Sequence, residues 1–235
     1  MDNKKIHVMA IGAHAGDMEL TCGAVLTKYA MNGHKVTLVH MTSGEKGHPI
    51  LSGDVYKKQK DKEANEFAGK IGAQAMILPY KDGELLDSEE VKFYVCDLIR
   101  QYKPDILITH WKNSIHKDHE ATYKIVKDAV FYASIKSFQR DLSPHCIRAL
   151  YFAENWEDPE DFKPYIYIDV SETYNIWIEA LKSYEFIGNS PYFKYLDYYN
   201  ALSIVRGAEC RRERAETFAI EPLGIKQIFD YFPVK

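Results

Sequence analysis

Residues 6–41 read IHVMAIGAHAGDMELTCGAVLTKYAMNGHKVTLVHM, and this stretch decides the fold. Ile6 to Ile11 is a short apolar run that ends at Gly12. Leu20 to Met31 has the composition of a helix, and Asn32-Gly33 closes it. Val36 to Met41 is the next apolar run. Strand, helix and strand in this order make a crossover unit, which joins parallel strands.

The unit recurs downstream. Ala64, Phe67, Ala68 and Ile71 repeat at the helical i, i+3, i+4, i+7 spacing, and Gly72 ends that helix. Ala75 to Leu78 is a strand stopped by Pro79. Val91, Tyr94, Val95, Leu98 and Ile99 are helical again, and Pro104-Asp105 opens the strand Ile106 to Thr109. Ile125, Val126, Ala129, Val130 and Ala133 mark a further helix. This βαβαβαβα order predicts an α/β fold, a mostly parallel sheet with helices on both faces. Beyond it, Ala149 to Ala153 and Tyr165 to Val170 read as strands. Ser171 is a candidate N-cap for a helix through Trp177, Leu181 and Tyr184. Pro191 to Arg214 reads as one long helical stretch, which makes the C-terminal part a helical elaboration. With no repeat and no Ser/Gly linker, residues 1–235 read as a single domain.

Composition excludes several classes. Of the residues, 46% are apolar and 27% charged, a soluble globular balance. Thirty Lys and Arg against 34 Asp and Glu give a net charge of −4, without the basic excess of a nucleic-acid binder. Cys22, Cys96, Cys146 and Cys210 form no CxxC pair, so they read as reduced thiols of a cytoplasmic protein rather than zinc ligands. The opening Met1 to Lys5 has no apolar signal core, and no apolar run reaches the length of a membrane span.

Nine histidines remain to be placed. In open parallel sheets, functional residues gather at the carboxyl ends of strands. The first strand runs into Gly12-Ala13-His14-Ala15-Gly16-Asp17-Met18-Glu19. The fourth runs into His110, followed by His116-Lys117-Asp118-His119. An imidazole nitrogen and a carboxylate oxygen are good zinc ligands. His14, Asp17 and His119 would give two nitrogens and one oxygen with a position left for water, the pattern of a catalytic zinc site. Glu19 could accept from a ligand histidine, and Asp118 could fix an imidazole tautomer. Otherwise Asp17 caps a helix and the second cluster is a polar loop. The glycine spacing of a dinucleotide fingerprint is absent.

These motifs resemble the PIG-L/LmbE-like family of zinc-dependent N-deacetylases. Ala13 to Leu20 is similar to its AHPDDxEL motif, Thr42-Ser43-Gly44-Glu45-Lys46-Gly47 to its T-x-G-E-x-G loop, and His116 to His119 to its H-P-D-H. Lys60 and Glu63 before Gly72 sit like its R-x-x-E helix, and Arg214 to Phe218 like its Y-A-E-A-F. The resemblance implies a Rossmann-like fold and hydrolysis of an N-acetyl group, often on an N-acetylglucosamine derivative, by zinc-bound water. It implies His14, Asp17 and His119 as zinc ligands, and His116 as the acid or oxyanion-side residue with Asp118 beside it. Glu45 and Lys60 become candidate substrate-binding residues. Relatives often assemble, which leaves room for a homo-oligomer.

One position departs from the family. The general-base carboxylate of the motif is replaced by Gly16, and the motif's proline by Ala15. General-base catalysis contributes about 10²–10⁴ in rate. Three readings follow: His116, Asp118 or Glu45 substitutes; the protein is a zinc-containing carbohydrate binder that no longer hydrolyses; or Gly16 leaves room for a different substrate or a water. His110 stands open between a pocket-edge and a structural role. The Tyr-rich region around Tyr184, Tyr192, Tyr195, Tyr198 and Tyr199 suits helical packing or an oligomer contact. Arg211 to Glu216 reads as a salt-bridged helix face.

Overall fold

The computed structural model describes residues 5–221. Residues 1–4 of the opening segment, read above for a signal core, lie outside them. Seven strands form one sheet in the order β3-β2-β1-β4-β5-β7-β6. β1 (His7–His14), β2 (Lys35–Thr42), β3 (Gln74–Tyr80), β4 (Ile106–Thr109) and β5 (Ala149–Ala153) are parallel. At one edge β7 (Ala215–Ala219) runs antiparallel to both β5 and the outermost strand, β6 (Ile166–Asp169). The order reverses at β1, which lies between β2 and β4. The loops leaving β1 and β4 therefore open side by side, at the switch point where such sheets bind ligands.

Successive residues of β1 feed opposite faces. Val8 and Ala10 join a core built with α2 (Gly23–Met31), α3 (Gly53–Ile71) and α6 (Tyr174–Leu181). Met9 and Ile11 join a second core under α4 (Glu89–Tyr102) and α5 (Lys117–Ser134). Burial on both faces explains why these strands read as unbroken apolar runs.

Several boundaries differ from the sequence reading. β3 continues through Pro79, which an edge strand tolerates because that side needs no ladder N–H. The helix expected from Leu20 to Met31 is two: α1 (Asp17–Thr21) and α2, broken at Cys22. Trp177 enters at the break, its indole N–H donating to the Glu19 carbonyl at 2.6 Å. A Cβ on Gly23 would stand 2.4 Å from the indole nitrogen, so the close approach requires glycine there.

The second half holds the larger corrections. Thr173, not Ser171, precedes α6, which ends at Leu181; Ser171 instead donates its hydroxyl to Asp169. Tyr184 precedes a separate short helix, α7 (Glu185–Asn189). The long stretch to Arg214 is helical only as α8 (Tyr195–Glu209). The chain then turns through Arg211, at φ 61°, and enters β7. Arg211 to Glu216 is thus no helix face. Arg214 lies over the Tyr174 ring at 3.4 Å, and Glu216 is buried, accepting from the Ala24 and Val25 N–H groups that open α2. All five residues of β7 are buried, so sheet pairing overrides the charged local pattern. Tyr184 and Tyr199 are core residues. No helix among the described residues is long and apolar enough to cross a membrane.

Candidate active site

β1 extends past its apolar run, so His14 is its last residue and Asp17 opens α1. The His14 N–H donates to Asp17 Oδ2 at 2.7 Å and holds that carboxylate over the turn. Asp17 Oδ2 then lies 3.2 Å from His14 Nδ1 and 3.4 Å from His119 Nε2. His119 comes from the first turn of α5. Its Nδ1 faces Asp158 Oδ1 at 3.0 Å, which in the neutral ring keeps the proton on Nδ1 and turns Nε2 toward Asp17. His14 Nε2 and His119 Nε2 are both buried without a hydrogen-bond partner. Buried polar atoms are rarely orphaned; the His14 atom faces Asp82 and Asp118, and the His119 atom faces Asp17.

Asp17 meets each histidine at a ligand-like distance, but His14, Asp17 and His119 are not one of the groups whose donor atoms all lie within 4.8 Å of one another. Zinc bonds of about 2.0–2.2 Å in a tetrahedron put neighbouring ligand atoms roughly 3.3–3.6 Å apart, close to the two Asp17 separations. Three groups of ligand-type residues lie within 4.8 Å internally among the described residues: His14 with His116 and His119, Asp17 with His110 and His119, and His14 with Asp82 and Asp118. His110 Nε2 accepts the Ala13 N–H at 3.0 Å, so its lone pair is committed, while its Nδ1 faces Asp158 Oδ2 at 3.2 Å. Its Nε2 also lies 3.2 Å from Asp17 Oδ2, and its ring stacks on His119 at 3.9 Å.

The charges are strongly coupled. Burial alone would lower the His119 pKa, but Asp17 and Asp158 raise it to about 10. His14 is likewise held well above its ordinary value by Asp17, Asp118 and Asp82 against the effect of burial. Burial opposes ionisation of Asp17, yet His119, His14 and His110 hold it well below the usual carboxylate range.

Around this centre the other expected residues are placed as follows. His116 precedes α5, and its Nδ1 accepts the Asp118 N–H at 3.2 Å, so the neutral ring carries its proton on Nε2. Burial and the neighbouring His14 and His119 lower its pKa, which favours that neutral form. Its ring meets His14 edge-on at 4.6 Å. Asp118 faces His14 rather than His116: Oδ2 lies 3.5 Å from His14 Nε2 and accepts the Gly83 N–H at 2.6 Å. The Glu45 carboxylate accepts the Asp82 N–H at 3.0 Å and the Ser43 hydroxyl at 3.3 Å, so it holds a loop. Glu19 touches none of His14, His116 and His119. Its buried carboxylate accepts from the Tyr184 hydroxyl and the Gly16 N–H, and faces His40.

The sequence profile described as PIG-L, GlcNAc-PI de-N-acetylase, matches residues 9–130. The chain belongs to this family. The matched part contains His14, Asp17, His116, Asp118 and His119. Among similar proteins, 4-oxalmesaconate hydratase of Pseudomonas putida is 17% identical over 97% of this chain and 92% of its own length. The crystal structure of that organism's 4-carboxy-2-hydroxymuconate hydratase, GalB, superposes with TM-score 0.86 at 16% identity, covering 97% of this chain and all of that one. A 1D-myo-inositol 2-acetamido-2-deoxy-alpha-D-glucopyranoside deacetylase of Kribbella flavida is 24% identical over 58% of this chain; the match spans only 57% of that enzyme. N,N'-diacetylchitobiose deacetylase of Pyrococcus horikoshii superposes with TM-score 0.82 at 22% identity, over 92% of this chain and 84% of that one. These superpositions establish the α/β fold.

Gly16, where the PIG-L motif has its base, leaves no room. It has φ +112°, and a Cβ there would lie 2.7 Å from Phe186 Cζ and 3.5 Å from Lys60 Nζ. A side chain at this position would therefore meet Phe186. Lys60 is buried, with its ammonium 3.9 Å from the Phe186 ring centroid.

Sequence reasoning missed Asp82 and Asp158. Asp82 Oδ1 lies 3.2 Å from His14 Nε2, and Asp158 joins His110 to His119. Both follow carboxyl ends of strands, β3 and β5, the positional signal that found His14 and His116. Replacing Asp158 removes the acceptor that orients His119. Asp158→Asn is expected to weaken zinc affinity by about 10–100-fold, read by competition with a chromogenic chelator; unchanged affinity would rule out the orienting role.

Proposed function

We propose that this chain is a zinc-dependent hydrolase that removes an N-acetyl group from an N-acetylglucosamine-type sugar or related small amide. The observation that carries this reading is Asp17 Oδ2 lying within 3.4 Å of nitrogens from both His14 and His119. His14, Asp17 and His119 would hold the ion. When bound, it supplies Lewis acidity toward an acyl carbonyl and lowers the pKa of a coordinated water. His116, neutral with a proton on Nε2, can donate to the developing oxyanion or give that proton to the leaving amine. Asp158 keeps the His119 proton on Nδ1, and Asp118 bears on His14. Glu45 is held by its loop, which leaves as candidate proton acceptors Asp118, whose Oδ1 is buried without a partner, and Glu157. Glu157 Oε2 lies 3.8 Å from His119 Nε2, and its carboxylate accepts no hydrogen bond among the described residues. Free thiols at Cys22, Cys96, Cys146 and Cys210 support a cytoplasmic setting.

A second reading has its own support. The relative matched over nearly its whole length is a hydratase, and this chain lacks the base carboxylate at position 16. Addition of water to a carbon–carbon double bond would use the same centre. The test is metal content together with two assays. Zinc near one equivalent per chain, lost in His14→Ala and His119→Ala, is expected, with acetate released from a panel of N-acetylated sugars. A chain that stays metal-free after zinc loading rejects both readings. Zinc binding without acetate release, but with bleaching of conjugated dienoates, selects hydration.

A further inference from the structure

Lys60 is 3% exposed, yet its ammonium has no hydrogen-bond or ion-pair partner among the described residues. The side chain runs between two loops. Its Cε lies 3.8 Å from the Cβ position of Gly44, and its Nζ 3.5 Å from that of Gly16. Three rings lie against the charge, with Phe186, Tyr184 and Tyr56 centroids at 3.9, 4.9 and 5.8 Å. Glu63, Glu19, Asp17 and Asp82 act on the charge from a distance without pairing with it, and Glu63 Oε2 is itself buried without a partner. Glu63 Oε1 accepts from Gln59 and from the Glu185 N–H, and Asp17 faces three histidines. A buried cation without a counterion is costly, and ring faces return only part of that cost. Burial pulls the Lys60 pKa down to about 8, which still leaves it charged at neutral pH.

We infer that Lys60 is an anion-binding residue of the substrate site, and that the substrate carries a carboxylate in addition to its reacting group. Gly16 stands between His14 and Asp17 in the chain, so the ammonium borders the turn that presents those two residues. Neither glycine places a side chain between them. A neutral hydroxyl would leave the charge uncompensated, whereas a carboxylate makes a charge-assisted hydrogen bond about twice as strong. One ammonium matches one carboxylate; a phosphate, with nearly two charges, calls for more donors. The inference rests on the His14–Asp17–His119 centre being the reaction site, and it holds for hydrolysis and hydration alike.

The test is calorimetric titration of the zinc-loaded chain with dicarboxylates from malonate to adipate, against monocarboxylates of equal length. The best-fitting dicarboxylate is expected to bind at least about tenfold tighter than its monocarboxylate. That advantage should vanish in Lys60→Met and stay within about threefold in Lys60→Arg, the charge being what matters. Unchanged zinc content in Lys60→Met reports that the metal site is intact. Equal binding of the two series, or an advantage that survives Lys60→Met, overturns the inference. Zinc binding and turnover would then still support the proposed function. Tighter binding of 3-phosphonopropionate than of succinate overturns the carboxylate assignment.

Discussion

Gly16→Asp is expected to unfold more easily than the native chain and not to act as a simple repair of the missing base. The backbone at φ +112° is open to glycine but strained for any other residue, at about 1–3 kcal/mol. The new Cβ would also meet Phe186 Cζ at 2.7 Å. Phe186 is half-buried and can swing aside only by leaving Lys60 and Tyr195. Forced repacking of this kind costs about a further 1–3 kcal/mol. The sum, roughly 2–6 kcal/mol, is a large part of the stability of most domains. An ion pair between the new carboxylate and Lys60 offsets some of it. Gly16→Ala lacks that pair and should be the less stable of the two. Adding Phe186→Ala to Gly16→Asp should restore part of the loss, a coupling that a double-mutant cycle in urea measures. A Gly16→Asp midpoint equal to the native one would refute the packing argument.

Lys60→Met is expected to be more stable than the native chain at pH 7. Burial lowers the Lys60 pKa from 10.5 to about 8. The unfolded chain therefore binds more protons than the folded one between those values, and native stability rises with pH across that window. The sign is that of a depressed pKa: the contribution is complete above about 10.5 and is lost as pH falls through about 8. Below that, the folded protein carries a constant penalty of about 3 kcal/mol. Methionine has no charge to desolvate and adapts its shape to an aromatic surround. Lost cation–π contact, about 0.5–2 kcal/mol, returns part of the gain. The net expectation at pH 7 is about 1–3 kcal/mol in favour of the variant, shrinking toward pH 10. Urea midpoints of both proteins at the two pH values, without zinc, check this. Identical midpoints at both would contradict it. A residue kept at such a cost in stability fits a role in binding.

Both expectations come from contacts that no local pattern contains. Phe186 reaches Gly16 because α7 folds back over the turn between β1 and α1. The sequence offers only a glycine at one place and an aromatic run at another. The break at Cys22 is of the same kind, since Trp177 of α6 occupies it. By contrast, His14 and Asp17 were legible because both belong to one strand-to-helix turn. His116 and His119 were legible because both belong to one helix start. Each pair needs only local geometry plus the rule that strand ends gather at one edge.

The sequence by itself determined the parallel part of the sheet, its order of strands and helices, and the ends at which ligand-type residues collect. Hydrophobic periodicity reports whether a segment is buried on one face or two, and that is a local property. Tertiary structure decided the rest. It turned Ala215 to Ala219 into a strand against a charged local pattern, because pairing with β5 and β6 buries all five residues. It brought Asp82 and Asp158 to the histidines from two other strand ends. It also filled the place of the missing carboxylate with Phe186 and a buried ammonium. Which side chains meet across the sheet depends on how loops and helices pack, and periodicity carries no record of that.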